Sequence, residues 1–228
     1  MKVAVIGNGN VGMAAFGELL RMPELSEVAL VGRNVERIRA EVEDYADALA
    51  LQTAPGAKIS GGSYERTAGE DVLIYTAGAA QKPGQTRLEL VEENVRITRQ
   101  IFGEINRYNR DAIVVCLSNP VDIITAAVCQ FTGRPPERVI GTGTLLDTAR
   151  LKKYLSGLMD VSPASVVAYV LGEHGDSSCI IWSATRISGL PIDDYLSRAA
   201  PYHVRHGLTA DVDFVVQNRG EIIVNGQP

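Results

Sequence analysis

Up to about residue 143 the chain alternates short apolar runs with longer stretches in which apolar residues recur at helical spacing. The short runs are typical of buried strands, and the longer stretches are typical of helices with one apolar face. Strands that alternate with helices are joined by right-handed crossovers, so the pattern predicts an α/β fold with a doubly wound parallel sheet. The predicted strands are Lys2–Ile6, Val28–Val31, Asp71–Thr76, Ala112–Leu117 and Arg138–Ile140, and the predicted helices run from the first turn to about Met22 and over Asn34–Leu51, Arg87–Tyr108 and Val121–Phe131.

The pattern changes near residue 143, which predicts a domain boundary there. A chain of 228 residues, 46% of them hydrophobic, is long enough for one large or two small domains. We therefore expect a first domain over residues 1–143 and a second over residues 144–228.

The composition argues against several classes of partner. The net charge of −5 leaves no basic surplus for nucleic acid or an anionic membrane, and no apolar run reaches the length of a membrane span. Because a strand begins at Lys2, we expect no signal peptide and a cytoplasmic location. The three cysteines, Cys116, Cys129 and Cys179, are widely spaced among apolar neighbours, which predicts buried, reduced thiols and neither a disulfide framework nor a metal site.

A glycine-rich turn follows the first strand and carries the first candidate chemistry. Gly7-Asn8-Gly9-Asn10-Val11-Gly12 has the G-x-G-x-x-G spacing, placed between a strand and a helix, that dinucleotide-binding domains require. Gly7 permits the tight turn, Gly9 lets the backbone approach a pyrophosphate, and Gly12 lets the helix and the strand pack closely. Amides at the start of the following helix would face the phosphates, so the turn predicts a dinucleotide site.

The second strand runs into Gly32-Arg33-Asn34, where a different residue is expected. An acidic side chain about 20 positions after the last glycine usually binds the ribose hydroxyls of NAD. A carboxylate would repel a 2′-phosphate, whereas glycine leaves space and arginine can pair with it. Arg33 is also compatible with a solvated cation or a stack on adenine. The sequence therefore leaves the choice between NAD and NADP open.

Polar segments follow predicted strands at the sheet edge where doubly wound folds bind ligands. Asp147 and Arg150 are three positions apart and share a helix face, where they form either an ordinary ion pair or part of a site. A guanidinium in that position can grip a substrate carboxylate with two hydrogen bonds. Arg87 ends a segment whose glycine and polar residues suit a mobile lid. The three segments are Gln81–Arg87, Ser118–Pro120 and Gly141–Arg150.

A histidine lies between glycines in Gly172-Glu173-His174-Gly175-Asp176, which leaves room for a ligand beside its imidazole. Histidine exchanges protons near neutral pH, as general acid–base catalysis requires. The other two histidines, His203 and His206, lie in a polar stretch without this framing. His174 is therefore the candidate proton carrier, although the segment by itself fits a loop histidine with local hydrogen bonds equally well.

Taken together, these segments resemble the NAD-dependent L-lactate and L-malate dehydrogenases and the related L-2-hydroxyisocaproate dehydrogenases. The similarity implies a Rossmann domain that binds NAD, followed by an α+β substrate domain. It also implies an oxidoreductase that moves a hydride between nicotinamide and a 2-hydroxy or 2-keto monocarboxylic acid (lactate or pyruvate), assembled as a homodimer or homotetramer. The similar segments, in order, are the glycine turn, Thr76–Gly78, Gln81–Arg87, Ser118–Asp122, Gly141–Arg150 and Gly172–Ser177.

The resemblance implies a role for each candidate residue. His174 would carry the proton, Asp147 would hold the histidine, and Arg87 would polarise the carbonyl from the closing lid. Arg150 would bind the substrate carboxylate, Asn119, before a cis proline bond, would bind the reacting oxygen, and Gln81 would face the substrate side chain. The residues implied to bind the cofactor are Gly7, Asn8, Gly9, Asn10, Val11, Gly12, Arg33, Thr76, Ala77, Gly78 and Asn119.

Alternatives to a lactate dehydrogenase remain open at this point. Gln81 stands where malate enzymes carry arginine, which favours a monocarboxylic acid, but L-2-hydroxyisocaproate and malate are alternative substrates. The resemblance also implies further strands and a long helix after Pro228. If these residues are the whole molecule, we expect an incomplete second domain, and the alternative of another class is a chain that binds dinucleotide without turnover.

Overall fold

The computed structural model describes residues 1–50, 57–79, 84, 86–175 and 177–205, without the side chains of residues 87 and 199–205. The chain divides into two compact units, which we call the N-terminal unit, Met1–Thr142, and the C-terminal unit, Gly143–Pro228. None of the helices in the described part of the chain combines the length and the apolar character that a membrane-spanning helix needs.

A six-stranded sheet forms the centre of the N-terminal unit, and all its neighbouring strands are parallel. The strand order is β3-β2-β1-β4-β5-β6, so the direction of winding reverses between β1 and β4. This order confirms the predicted doubly wound parallel sheet. The strands are β1 Lys2–Ile6, β2 Glu27–Val31, β3 Lys58–Gly62, β4 Val72–Tyr75, β5 Ile113–Cys116 and β6 Val139–Gly141.

Helices cover both faces of this sheet, because alternate side chains of its strands point to opposite sides. Val3 and Val5 of β1 belong to one buried cluster, which also contains residues of the first two helices. Ala4 and Ile6 belong to a second cluster, with residues of the third and fourth helices. The helices are α1 Asn10–Leu19, α2 Val35–Ala50, α3 Arg87–Ile105 and α4 Val121–Thr132.

Strand β3 is an element that the hydrophobic pattern does not predict. Its sequence, Lys-Ile-Ser-Gly-Gly, lacks the run of branched apolar residues that usually signals a strand. A Cβ atom on Gly61 would lie 2.7 Å from Cγ2 of Val42, so the missing side chain lets α2 pack closely on this edge of the sheet.

The expectation of buried cysteines also needs correction, because Cys179 is exposed, although Cys116 is buried.

In its described residues, the C-terminal unit contains short antiparallel strands and two α-helices around a separate hydrophobic core. Leu151, Leu155 and Met159 of its first helix pack in that core with Val166 and Val170. Each of its five described strands is only two residues long, which is too short for a periodic pattern to reveal. The elements are α5 Leu145–Met159, β7 Val166–Val167, β8 Val170–Leu171, β9 Cys179–Ile180, β10 Arg186–Ile187, β11 Leu190–Pro191 and α6 Ile192–Arg205.

Candidate active site

A groove of about 480 Å³ lies at the carboxyl ends of the central strands of the N-terminal unit. Parallel sheets bind ligands at this edge, where the strand order reverses. Residues predicted to bind the cofactor come together here. Those that line the groove are Gly7, Asn8, Gly9, Arg33, Thr76, Ala77 and Gly78.

The glycine turn is possible only because two of its residues lack a side chain. Gly7 has φ of 111°, a backbone conformation that L side chains rarely adopt. A Cβ atom on Gly12 would lie 2.0 Å from the carbonyl oxygen of Gly7 and 2.7 Å from Oγ1 of Thr76. Glycine at these positions therefore lets α1 start directly against the end of β1.

The start of helix α1 fits a pyrophosphate. Gly9 is the residue before the helix and gives it no side-chain cap, and the first turn contains no acidic residue. A Cβ atom on Gly9 would meet nothing within 4 Å, so a ligand can approach the backbone here. Amides and the positive end of the helix dipole favour an anion at this point. Asn10 and Val11 are exposed in this first turn, and Gly12 is buried.

Hydroxyl groups fix the neighbouring strand ends to the glycine turn. Oγ1 of Thr76 donates to the carbonyl oxygens of Ile6, at 3.0 Å, and Gly7, at 3.2 Å. Oγ of Ser118 donates to the carbonyl oxygen of Ala77 at 2.7 Å. The ends of β1, β4 and β5 are therefore tied together at the base of the groove.

Asn94 on α3 joins two loops that sequence reasoning did not connect. Its side chain is 3% exposed, and its Oδ1 accepts a hydrogen bond from the amide of Ala79 at 2.7 Å. Its Nδ2 donates to the carbonyl oxygen of Asn119 at 2.9 Å, directly before the cis Asn119–Pro120 bond. Asn119 itself is exposed. Because Asn94 lies far from both partners in the sequence, no local motif marks it.

The sequence interpretation missed two other parts of the groove lining. One is Tyr64, from a short 3₁₀ turn before β4, and the other is one face of helix α3. The helix residues recur at positions i, i+3, i+4 and i+7, the spacing of one helical face, and this spacing is the signal that could have identified them. They are Ile97, Gln100, Ile101 and Glu104.

The C-terminal unit places a histidine against a carboxylate. Nδ1 of His174 lies 2.6 Å from Oδ2 of Asp147, although the two residues are 27 positions apart in the sequence. The Asp147 side chain is 1% exposed and the His174 side chain is 23% exposed. The pair therefore has a buried carboxylate and an imidazole that still reaches solvent.

Two threonines explain why this pair forms. Oγ1 of Thr144, the residue before α5, donates to the carbonyl oxygen of Val170 at 2.6 Å. Oγ1 of Thr148 accepts from the amide of Val170 at 3.0 Å. These bonds hold β8 against the first turn of α5, which contains Asp147. Gly172, which has a φ of 102°, then bends the chain between β8 and His174.

Arg150 completes the group of predicted residues in this unit. Its Nη1 lies 3.6 Å from Oδ1 of Asp147, which is an ion-pair distance longer than an ordinary hydrogen bond. Within the described residues, that buried Oδ1 atom has no hydrogen-bond partner. The Arg150 side chain is 42% exposed, so its guanidinium is accessible to an anion.

Some predicted residues lie outside the described part of the chain. They are Gln81, most of the predicted lid segment, Asp176 and His206, together with the side chain of Arg87. The backbone of Arg87 begins α3, and Thr86 caps that helix by accepting from the amide of Glu89 at 3.2 Å. The roles of Gln81 and Arg87 therefore stay predictions.

The fold and the groove define a dinucleotide-binding protein. The chain belongs to the lactate/malate dehydrogenase family. Residues 1–141 match the family model of the NAD-binding domain, and residues 144–227 match the model of the alpha/beta C-terminal domain. The N-terminal unit therefore carries a NAD-binding domain.

Curated relatives and solved structures agree with this assignment. An L-lactate dehydrogenase of Clostridium botulinum is 39% identical over 197 residues, which are 86% of this chain and 61% of that protein. One of Allorhizobium ampelinum is 37% identical over 227 residues, with 100% of this chain and 72% of that protein covered. The chain thus spans less than two thirds of the length of the Clostridium relative.

Two solved structures show how far the similarity in fold extends. The minor L-lactate dehydrogenase of Enterococcus mundtii has a TM-score of 0.80 at 38% identity, covering 95% of this chain and 69% of that one. The malate dehydrogenase of Aeropyrum pernix has a TM-score of 0.80 at 34% identity, covering 95% and 70%.

Proposed function

We propose that this protein is an NAD-dependent L-2-hydroxy acid dehydrogenase of the L-lactate dehydrogenase type. It would interconvert a 2-keto monocarboxylic acid, pyruvate in the simplest case, and the corresponding L-2-hydroxy acid. The observation that carries the proposal is the 2.6 Å contact between Nδ1 of His174 and Oδ2 of Asp147. A domain that only binds a dinucleotide has no need of such a pair.

The pair suits proton transfer in both directions. Because Nδ1 is held by Asp147, proton exchange with the substrate falls to Nε2 of His174. The buried carboxylate fixes the orientation of the ring, so that Nε2 would give its proton to the substrate oxygen during reduction. In oxidation the neutral ring accepts the hydroxyl proton. The bound nicotinamide supplies or accepts the hydride.

The arginines and Asn119 would bind and polarise the substrate. Arg150 is accessible and has a planar guanidinium, which can hold the substrate carboxylate through two parallel hydrogen bonds. Arg87, at the end of the predicted lid, would stabilise the charge that grows on the substrate oxygen. Asn119 would donate to the same oxygen. Closure of the lid would exclude water and strengthen each of these interactions.

Substrate choice would depend on Gln81. A neutral amide at that position leaves a second substrate carboxylate without a partner, and a buried, unpaired charge is costly. Pyruvate should therefore be preferred to oxaloacetate. Malate is the second candidate, because the Aeropyrum pernix malate dehydrogenase matches this chain at 34% identity.

The same proposal includes two domains, over residues 1–143 and 144–228. It also includes a cytoplasmic location and assembly as a homodimer or homotetramer.

Steady-state kinetics test the proposal. We expect kcat/KM with NADH to be higher for pyruvate than for oxaloacetate, with 2-ketoisocaproate as a bulky comparison. Gln81→Arg should raise kcat/KM for oxaloacetate by about ten-fold, because a charge-assisted pair replaces an unpaired charge. A parent protein that prefers oxaloacetate, or a variant that fails to gain it, would contradict the lactate-type assignment. NADH binding without turnover of any of these acids would contradict the dehydrogenase itself.

A further inference from the structure

The rim of the groove after β2 lacks the carboxylate that usually binds the adenosine ribose. Gly32 stands there, buried against α2, and the exposed Arg33 follows it. A Cβ atom on Gly32 would meet Cδ1 and Cγ1 of Ile38 at 3.0 and 3.3 Å, and Oδ1 of Asn8 at 3.9 Å. Apart from atoms of Gly32 and its two chain neighbours, the polar atom nearest to this Cβ position is therefore the amide oxygen of Asn8, from the glycine turn.

The orientation of the Asn8 side chain is fixed from behind. Its Nδ2 donates to Oε2 of Glu41 at 2.9 Å. A carboxylate only accepts hydrogen bonds, so the amide nitrogen must face Glu41, and the amide oxygen faces the other way. The second oxygen of Glu41 accepts from Nε of Arg37 at 2.9 Å, and the Glu41 side chain is 18% exposed. A short chain of bonds from α2 therefore directs Oδ1 of Asn8 toward Gly32.

We propose that Asn8 binds the adenosine ribose in place of the missing carboxylate, with Glu41 as its positioning residue. Oδ1 of Asn8 accepts a hydrogen bond from the 2′-hydroxyl group. This inference rests on the proposed function only in so far as the groove binds the cofactor. It differs from the usual arrangement, because the acceptor comes from the glycine turn and carries no formal charge.

The neutral acceptor has a consequence for cofactor choice. An amide oxygen recognises a hydroxyl donor as a carboxylate does, but it repels a 2′-phosphate less strongly. The negative charge of Glu41, which holds the Asn8 amide, is paired with Arg37. Arg33 also lines the groove and supplies a positive charge near the ribose position. Selection against NADPH is therefore weaker than in a domain with a carboxylate after β2.

Binding measurements with a modified cofactor test the role of Asn8. We would titrate the whole protein with NADH and with NADH that lacks the 2′-hydroxyl group of the adenosine ribose, and follow the change in cofactor fluorescence. The parent should bind NADH about five-fold more tightly than the deoxy analogue, because that ratio of affinities corresponds to the net free energy of one ordinary hydrogen bond. Asn8→Ala should weaken NADH binding by about five-fold and leave the analogue unchanged.

Variants of α2 provide the control and a second route to the same answer. Glu41→Ala should give the same selective loss with a smaller size, and Glu43→Ala, an exposed residue on the same helix, should change neither affinity. Equal losses for both ligands in Asn8→Ala, or unchanged NADH affinity, would overturn the inference and leave the proposed function intact. A parent protein that binds neither ligand would overturn both.

Discussion

The candidate sites of the two units depend on opposite structural features. In the N-terminal unit the groove depends on missing side chains, since a Cβ atom on Gly12 would lie 2.0 Å from the carbonyl oxygen of Gly7. In the C-terminal unit the candidate centre depends on two side chains that meet at 2.6 Å, His174 and Asp147. The first unit presents backbone amides, which suit phosphates, and under the proposed function the second unit would present His174 to a reacting oxygen.

The two units should therefore respond differently to substitution. Adding atoms to the glycine turn should damage the fold and cofactor binding together, because the turn and the helix start share one close contact. Removing atoms from the histidine–carboxylate pair should damage turnover and leave the cofactor site intact.

The largest effect is expected at His174. His174→Asn removes the proposed proton carrier, so turnover should fall by at least about 10²–10⁴-fold, the range for loss of a general acid–base group. NADH affinity, measured by titration, should stay within two-fold of the parent. Cys179→Ser changes an exposed residue shortly after His174. It is the control and should leave turnover unchanged. Near-normal turnover in His174→Asn would show that His174 is not the proton carrier.

A smaller but broader effect is expected in the glycine turn. Gly12→Ala forces the backbone of Gly7 to move, so the thermal midpoint should fall and NADH affinity should drop by about ten-fold or more. Gly103→Ala is the matched control, because a Cβ atom there would meet nothing within 4 Å, and an alanine in a helix is favoured by about 0.5–1 kcal/mol. Equal behaviour of the two variants would show that the close contact is unimportant.

Asn94 tests whether side chains also matter in the N-terminal unit. Asn94→Ala leaves the amide of Ala79 and the carbonyl of Asn119 without this partner, which should lower the free energy of unfolding by about 1–3 kcal/mol. Urea denaturation measures the change. Glu92→Ala, an exposed position on the same helix, should stay within about 0.5 kcal/mol of the parent. A loss no larger than that of the control would mean that the two loops are held by other contacts.

Sequence reasoning is most successful where one residue type is forced by backbone geometry. Gly7 and Gly12 are recognisable because a turn with positive φ and a close helix start exclude other residues, and buried parallel strands are recognisable from their apolar runs. Strand β3 escapes prediction because its glycines give no apolar signal. Asn94, Thr144 and Thr148 escape because their importance comes from partners distant in the sequence.

The last effect is a pH dependence of stability that belongs to the N-terminal unit. Burial, with the nearby charge of Glu27, raises the pKa of Glu70 from 4.5 to about 7. A raised folded-state pKa favours the folded protein when Glu70 is protonated, so this contribution is complete below pH 4.5 and is lost as the pH rises through about 7.

The substitution Glu70→Gln should remove that dependence. The free energy of unfolding, measured in urea at pH 5 and pH 8, should fall less with pH than in the parent. The exposed Glu65→Gln is the control and should keep the parental slope. An unchanged slope in Glu70→Gln would assign the dependence to other groups.

Transfer of isotope from the cofactor to the product is a direct test of dehydrogenase activity. The protein would be given pyruvate and NADH deuterated at both C4 positions, and the product would be examined by nuclear magnetic resonance and chiral separation. We predict L-lactate with deuterium at C2, and no labelled product from His174→Asn within the same time. Binding of NADH by the parent without deuterium in lactate would contradict the assignment of this chain as an L-2-hydroxy acid dehydrogenase.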